Sequence, residues 1–143
     1  LFRSLESNHP IAIVTKVGSI MPLVNSASGR VFASYLPETV IRPLMQAEWD
    51  KAATLGLALK PANWDEFTQL KQQIRAEQMA LAKGDLLVGI NAVGLPVFNA
   101  QGQIEFSVVA IDSETFLPLH AGSEKVQLLQ HEVAAMNQFI QAR

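Results

Sequence analysis

Two apolar runs, residues 86–98 (LLVGINAVGLPVF) and 104–111 (IEFSVVAI), are separated by Asn99-Ala100-Gln101-Gly102, and this pattern constrains the fold most. Runs rich in β-branched residues joined by a short turn with its glycine supplied predict a β-hairpin of two largely buried strands. Pro96 cannot donate to a strand ladder, so it is expected at a sheet edge or a bulge. The elements before and after the hairpin read as helices. Asn25-Ser26-Ala27-Ser28-Gly29 is a cluster of helix-capping residues that opens a short buried helix through Leu36. Pro37 and Glu38 suit the first turn of a second helix, with Val40, Ile41, Leu44 and Met45 on one face and an end near Gly56. Asn63 with Glu66 makes a capping-box start for a third, which Phe67, Leu70, Ile74 and Met79 continue until Gly84 and Asp85 break it. After the 118–122 loop, Ser123 caps a terminal helix with a stripe of Val126, Leu129, Val133, Met136 and Ile140. Residues 11–23 read as a strand, a turn at Gly18 and a second short strand, with which Leu1–Ser7 can pair. This order has no βαβ rhythm and predicts an antiparallel α+β domain.

Composition narrows the function. The chain has 143 residues, one domain's worth, with 49% hydrophobic and 17% charged side chains and a net charge of −2. A chain of this length buries roughly two-thirds of its unfolded surface and needs no covalent staple. It has no cysteine, which removes disulfides, thiol nucleophiles and thiolate metal sites. The near-neutral charge argues against a duplex-binding surface in this segment, because affinity for nucleic acid comes from neutralising phosphates. Charged residues fall short of the usual quarter, which predicts apolar surface left for a partner subunit, a small ligand, or both. No apolar stretch approaches a membrane span and no signal-peptide pattern opens the chain, so the expected location is the cytoplasm.

Little here points to catalysis. His9, His120 and His131 lie in separate segments without ligand spacing, and the seven-residue step from Glu105 to Asp112 puts those carboxylates on opposite faces of a strand. No GxSxG, Walker, HExxH or GxGxxG motif is present. The run Pro22 to Arg30 has more physical content. Small side chains at a helix start leave backbone N–H groups accessible, and with the helix dipole they can hold a carboxylate. The same residues equally allow the helix to pack closely on a sheet. Arg30 likewise has two readings: a contact to an anionic ligand, or a side chain turned to solvent or to a carboxylate on a neighbouring element.

The series Gly18-Ser19-x-x-Pro22-Leu23-x-x-Ser26-Ala27-x-Gly29-Arg30-x-Phe32-x-x-Tyr35-Leu36-Pro37 resembles the centre of the effector-binding domain of IclR-type (isocitrate lyase regulator) transcription factors. A second match follows, from Gly89-Ile90-Asn91-Ala92 through Pro96-Val97-Phe98 to Gly102. The resemblance spans nearly the whole chain from about Ser7. It implies a GAF-like antiparallel sheet flanked by helices, a pocket for a small carboxylate effector and no enzymatic activity. It also implies a homodimer or tetramer, with DNA contacted only through a winged helix-turn-helix upstream of this segment. The chain is accordingly expected to be one effector-binding domain, 1–143, without that upstream domain and without its own first elements.

Carried over position by position, the ligand-binding residues are Ala27 and Ser28, through their amides, and Ile13, Met21, Ile90, Ala92, Val109 and Ile111 as walls. No cofactor and no metal is implied. Three departures from the family pattern stand out. Val109 and Ile111 occupy positions that can present serine hydroxyls; the acidic position before the glycine strand falls near Ala82, with Asp85 the nearest carboxylate; and the family's Gly-Tyr after the third helix is Gln78-Met79. Losing hydroxyls makes the pocket more apolar, which favours an aromatic or branched-chain acid. The alternative is a pocket filled by its own side chains, in a domain that serves assembly alone.

Overall fold

The computed structural model describes residues 21–120 and 122–142. Within them run α1 (Ala27–Tyr35), α2 (Glu38–Thr54), α3 (Trp64–Glu77), β1 (Ala80–Lys83), β2 (Ile90–Phe98), β3 (Ile104–Ser113) and α4 (Glu124–Gln141). The three strands form one antiparallel sheet in the order β1-β2-β3. The α+β class read from the sequence is therefore found, with the hairpin turn at 99–102 closed by Asn99, which takes amide protons from Gln101 and Gln103. The strand readings before Met21 fall outside the described residues, and residues 21–23 are not strand.

Side-chain alternation divides the sheet into two faces. Val93, Leu95 and Val97 of β2 point to one side and pack with Leu117, Leu119, Val126 and Val133, so α4 covers that face. On the other side α1 lies close against Gly94: a Cβ added there would come 2.8 Å from the Ala27 carbonyl oxygen. Val31 of α1, Ile74 of α3 and Ala80 of β1 make the small core beneath. A separate cluster of Val24, Ala33, Ile41, Met45, Trp49 and Phe67 joins α1, α2 and α3. Pro96 sits on the middle strand, where its missing donor does least harm: β1 pairing ends at Gly94, and a bulge follows between Val97 and Phe98.

Four expectations are corrected. The third helix does not run to Gly84. It ends at Glu77 because Gln78 turns left-handed at φ 51°, and residues 80–83 form a strand instead. The sequence Ala-Leu-Ala-Lys favours helix locally, but Ala80 and Ala82 pair with Gly94 and Ala92, giving the flat surface that α1 needs. Nor is the segment 86–98 a continuous strand. Gly84 and Gly89, both at positive φ, bound a tight loop whose Val88 is 98% exposed. In α2 the buried stripe is Ile41, Met45, Trp49 and Ala52, while Val40 and Leu44 are each 52% exposed. In α4 Met136 faces out, whereas Ser123 holds the N-cap position as read, without a side-chain hydrogen bond.

Gln78 stands where the family pattern has glycine, and its left-handed backbone costs a side-chain-bearing residue about 1–2 kcal/mol. Gln78→Gly is therefore expected to raise stability by about 0.5–1 kcal/mol after the added unfolded-state entropy. Thermal melting should show an increase of a few degrees.

Candidate functional site

The start of α1 is built by the turn at residues 22–26. Ser26 has extended backbone, and its Oγ accepts the Gly29 amide at 3.0 Å while donating to the Pro22 carbonyl at 2.5 Å. The first intrahelical bond runs from Arg30 N–H to the Ser26 carbonyl at 3.0 Å. Among the described residues the Ala27 and Ser28 amides meet no hydrogen-bond acceptor, as first-turn amides do not within their own helix. Gly29 makes the turn possible: a Cβ there would lie 2.1 Å from the Pro22 oxygen. Small residues in this run thus serve close packing at Gly29 and at Ala27 over Gly94, while Ser28 remains half-buried.

Arg30 is only 4% exposed, and every part of its fork is engaged. Nε donates to Val24 O at 2.8 Å, one terminal nitrogen to Leu81 O at 2.6 Å and the Asp85 carboxylate at 3.0 Å, and the other to Lys60 O at 2.5 Å. Of its two readings the structure realises the carboxylate on a neighbouring element, with all three guanidinium nitrogens bonded to protein acceptors. Asp85 also accepts the Lys83 amide at 3.1 Å, so it locks the 84–89 loop to α1.

The predicted wall positions fall together. Pairing places Ala92 opposite Ile111, Gly94 opposite Val109 and Ile90 opposite Ser113. Ile90, Ala92, Val109 and Ile111 therefore share the face on which α1 rests its N-terminus at Gly94. All four are half-buried, in contrast to Val93, Leu95 and Val97 on the α4 face, which are fully buried. Met21, also half-buried, leads into the 22–26 turn, and Ile13 lies outside the described residues. Sequence reasoning missed Glu48. This α2 side chain accepts the Leu23 and Val24 amides at 2.8 and 2.9 Å, and nothing in its helical spacing announces that role. The importance of Gly94 had a sequence signal, since a glycine inside an apolar strand marks a close approach of another backbone.

At the other end of α1, the Tyr35 ring packs edge-on to Phe98 at 5.0 Å and lies under the Arg75 guanidinium. Burial of its hydroxyl raises the Tyr35 pKa above the ordinary value, and the positive charge of Arg75 partly opposes that. Among the described residues no group of His, Asp or Glu side chains is arranged to hold a metal ion, and no helix is long and apolar enough to cross a membrane.

Structurally, then, this is an antiparallel α+β domain with the first turn of a short helix held over a half-covered sheet face. Residues 2–134 match the family described as the bacterial transcriptional regulator IclR C-terminal domain, and the chain belongs to that family. The family is one of transcriptional regulators, not of enzymes. Similar solved structures include HmgR of Pseudomonas aeruginosa, 25% identical with a TM-score of 0.77 over 93% of this chain and 51% of that one. The Thermotoga maritima IclR protein is 19% identical, with a TM-score of 0.73 over 96% of this chain and 54% of its own. The inducer-binding domain of PobR from Acinetobacter, solved as a double mutant with 3-hydroxybenzoic acid, is 19% identical, with a TM-score of 0.63 over 84% of this chain and 67% of that one. The chain spans about half the length of the first two. No curated protein matches it.

Proposed function

We propose that this domain binds a small, apolar-bodied carboxylic acid and thereby modulates DNA binding by a separate, upstream domain of the same regulator. The carboxylate is held by the Ala27 and Ser28 amides, and the body of the acid lies against Met21, Ile90, Ala92, Val109 and Ile111, with Ile13 as a further wall. The observation that carries this reading is the seating of Ala27 over Gly94. It sets two amides without acceptors above the sheet face that carries Ile90, Ala92, Val109 and Ile111, all four half-buried. The 3-hydroxybenzoic acid complex of PobR supports an aromatic acid as the class to try first.

A helix N-terminus contributes about 1 kcal/mol to anion binding, and at most about 2. Micromolar affinity needs about 8 kcal/mol, so contact with the apolar body must supply most of it. A thermal-shift screen of aromatic and branched-chain acids tests the reading. An acid at about 100 times its dissociation constant is expected to stabilise the domain by about 2.7 kcal/mol, and a screen with no stabilised member contradicts it. Because Val109 and Ile111 replace possible hydroxyls, Val109→Ser or Ile111→Ser is expected to weaken an aromatic acid about tenfold, the cost of losing about 1–3 kcal/mol of apolar contact. Calorimetric titration measures it.

The domain's cytoplasmic location and its assembly as a homodimer or tetramer are part of the same proposal. Leu128, Met136 and Phe139 lie exposed along α4 and supply apolar surface for a subunit contact. These residues also favour a second reading, a ligand-free assembly module, in which dilution dissociates the oligomer irrespective of any added acid.

A further inference from the structure

We infer that Glu48 and Arg30 are positioning residues for the acid site: with opposite charges they grip the 22–26 turn from two sides and fix where the Ala27 and Ser28 amides point. The inference rests on the reading above, that those amides receive a carboxylate.

The Val24 peptide shows the grip most directly. Its N–H donates to Glu48 Oε2 at 2.9 Å, and its carbonyl accepts from Arg30 Nε at 2.8 Å. The neighbouring Leu23 N–H donates to the other Glu48 oxygen at 2.8 Å. One carboxylate from α2 thus holds two consecutive amides, and one guanidinium from α1 holds the carbonyl between them and the helix. Hydrogen bonds to charged groups are the stronger kind, and two-point contacts fix orientation as well as distance. The turn transmits that constraint to the first turn of α1 by contact. Pro22 O presses on the Gly29 backbone and receives the Ser26 hydroxyl, whose oxygen in turn caps the Gly29 amide. Releasing Leu23 and Val24 lets the Pro22 carbonyl move, and Ser26 then loses one of the two partners that hold it as a cap. Arg30 is itself held by Leu81 O, Lys60 O and Asp85, so the grip is anchored in β1 and its following loop as well as in α2.

The sign of the effect separates positioning from simple charge. A carboxylate beside an anion site repels the anion, so if Glu48 were a bystander, neutralising it would tighten acid binding. A positioning role predicts the reverse.

The test compares wild type, Glu48→Gln and Glu48→Asp as the whole chain, by amide-resolved hydrogen exchange and by titration with 3-hydroxybenzoate as the probe. In Glu48→Gln, exchange should be about tenfold faster at Leu23, Val24 and also Gly29, with Val93 and Leu95 of β2 unchanged, and the probe should bind about tenfold more weakly. Glu48→Asp keeps the charge on a shorter stem and should fall between the two. Faster exchange confined to Leu23 and Val24, or probe binding by Glu48→Gln equal to or tighter than wild type, overturns the inference. If wild type takes up no probe, the exchange at Gly29 alone decides the positioning claim, and the failure lies with the acid assigned to the site.

Discussion

Replacing Arg30 with alanine is expected to destabilise the domain by about 3–5 kcal/mol, the cost of removing one partner from a buried, hydrogen-bonded charge pair. The guanidinium satisfies three backbone carbonyls and one carboxylate, and only the carboxylate of Asp85, with a fifth of its side chain exposed, can turn to water in exchange. Val24 would keep a carbonyl without its donor in buried surroundings, and Leu81 and Lys60 in part-buried ones, at about 1–3 kcal/mol for each one left unsatisfied. Against a typical domain stability of about 5–15 kcal/mol the loss is large. Urea denaturation should show it as a lower midpoint at unchanged slope. Arg30→Lys should recover little, since a single ammonium cannot reach acceptors spread around a planar fork. A loss below about 1 kcal/mol would show that the four contacts do not act together.

Gly29→Ala is the second large effect, and its sign is diagnostic. Gly29 lies inside α1 with ordinary helical backbone, where propensity alone predicts that alanine stabilises by about 1 kcal/mol. Packing predicts the opposite. The new methyl would stand 2.1 Å from Pro22 O, 2.7 Å from Leu23 Cα and 2.8 Å from Ser26 Oγ, and two of these are backbone atoms fixed by Glu48 and Ser26. Net destabilisation of about 2–3 kcal/mol is expected, at the upper end of what overpacking costs, together with loss of acid binding as the turn is forced off the helix. Chemical denaturation measures the first and calorimetric titration the second. A stabilised Gly29→Ala would mean the turn is free to move.

Much of the fold was legible where the signal is local. The Asn99–Gly102 turn, a helix start within the Asn25–Gly29 cluster and the Asn63 and Glu66 pair all appear as read, with Asn63 Oδ1 accepting the Glu66 amide at 3.0 Å and Glu66 reaching back to the Ala62 amide at 2.8 Å. What failed depended on distant partners. Residues 80–83 have helical propensity and become strand because Ala80 and Ala82 fit beside Gly94 and Ala92, residues 14 and 10 positions away. The stripe on α2 was misphased because Val40 and Leu44 are as apolar as Ile41 and Met45, and only the buried Trp49 and Ala52 settle which side faces the core.

The site divides the same way. Small residues at Ala27, Ser28 and Gly29 announced a helix start that an anion can approach, whereas Ile90, Ala92, Val109 and Ile111 were named as walls only through the family resemblance; two-residue spacing on a strand puts each pair on one face. Register then brought the two pairs to the same face. Glu48 could not be read, because a lone carboxylate on an amphipathic helix looks like any solvated one until the turn of residues 22–26 is folded against it. Arg30 was legible as a charged residue in the series that resembles the family but not as a buried one. Its burial follows from four acceptors supplied by four separate segments.

The most direct measurement of the central claim is a crystal structure of the domain with an acid that stabilises it in the thermal-shift screen. Carboxylate oxygens are expected within hydrogen-bond distance, about 2.7–3.2 Å, of the Ala27 and Ser28 amide nitrogens, with the body of the acid on Ile90, Ala92, Val109 and Ile111. An acid seated on the opposite side of the sheet, in the cleft of about 250 Å³ lined by Ala110, Leu117, Lys125 and Leu129, would contradict it.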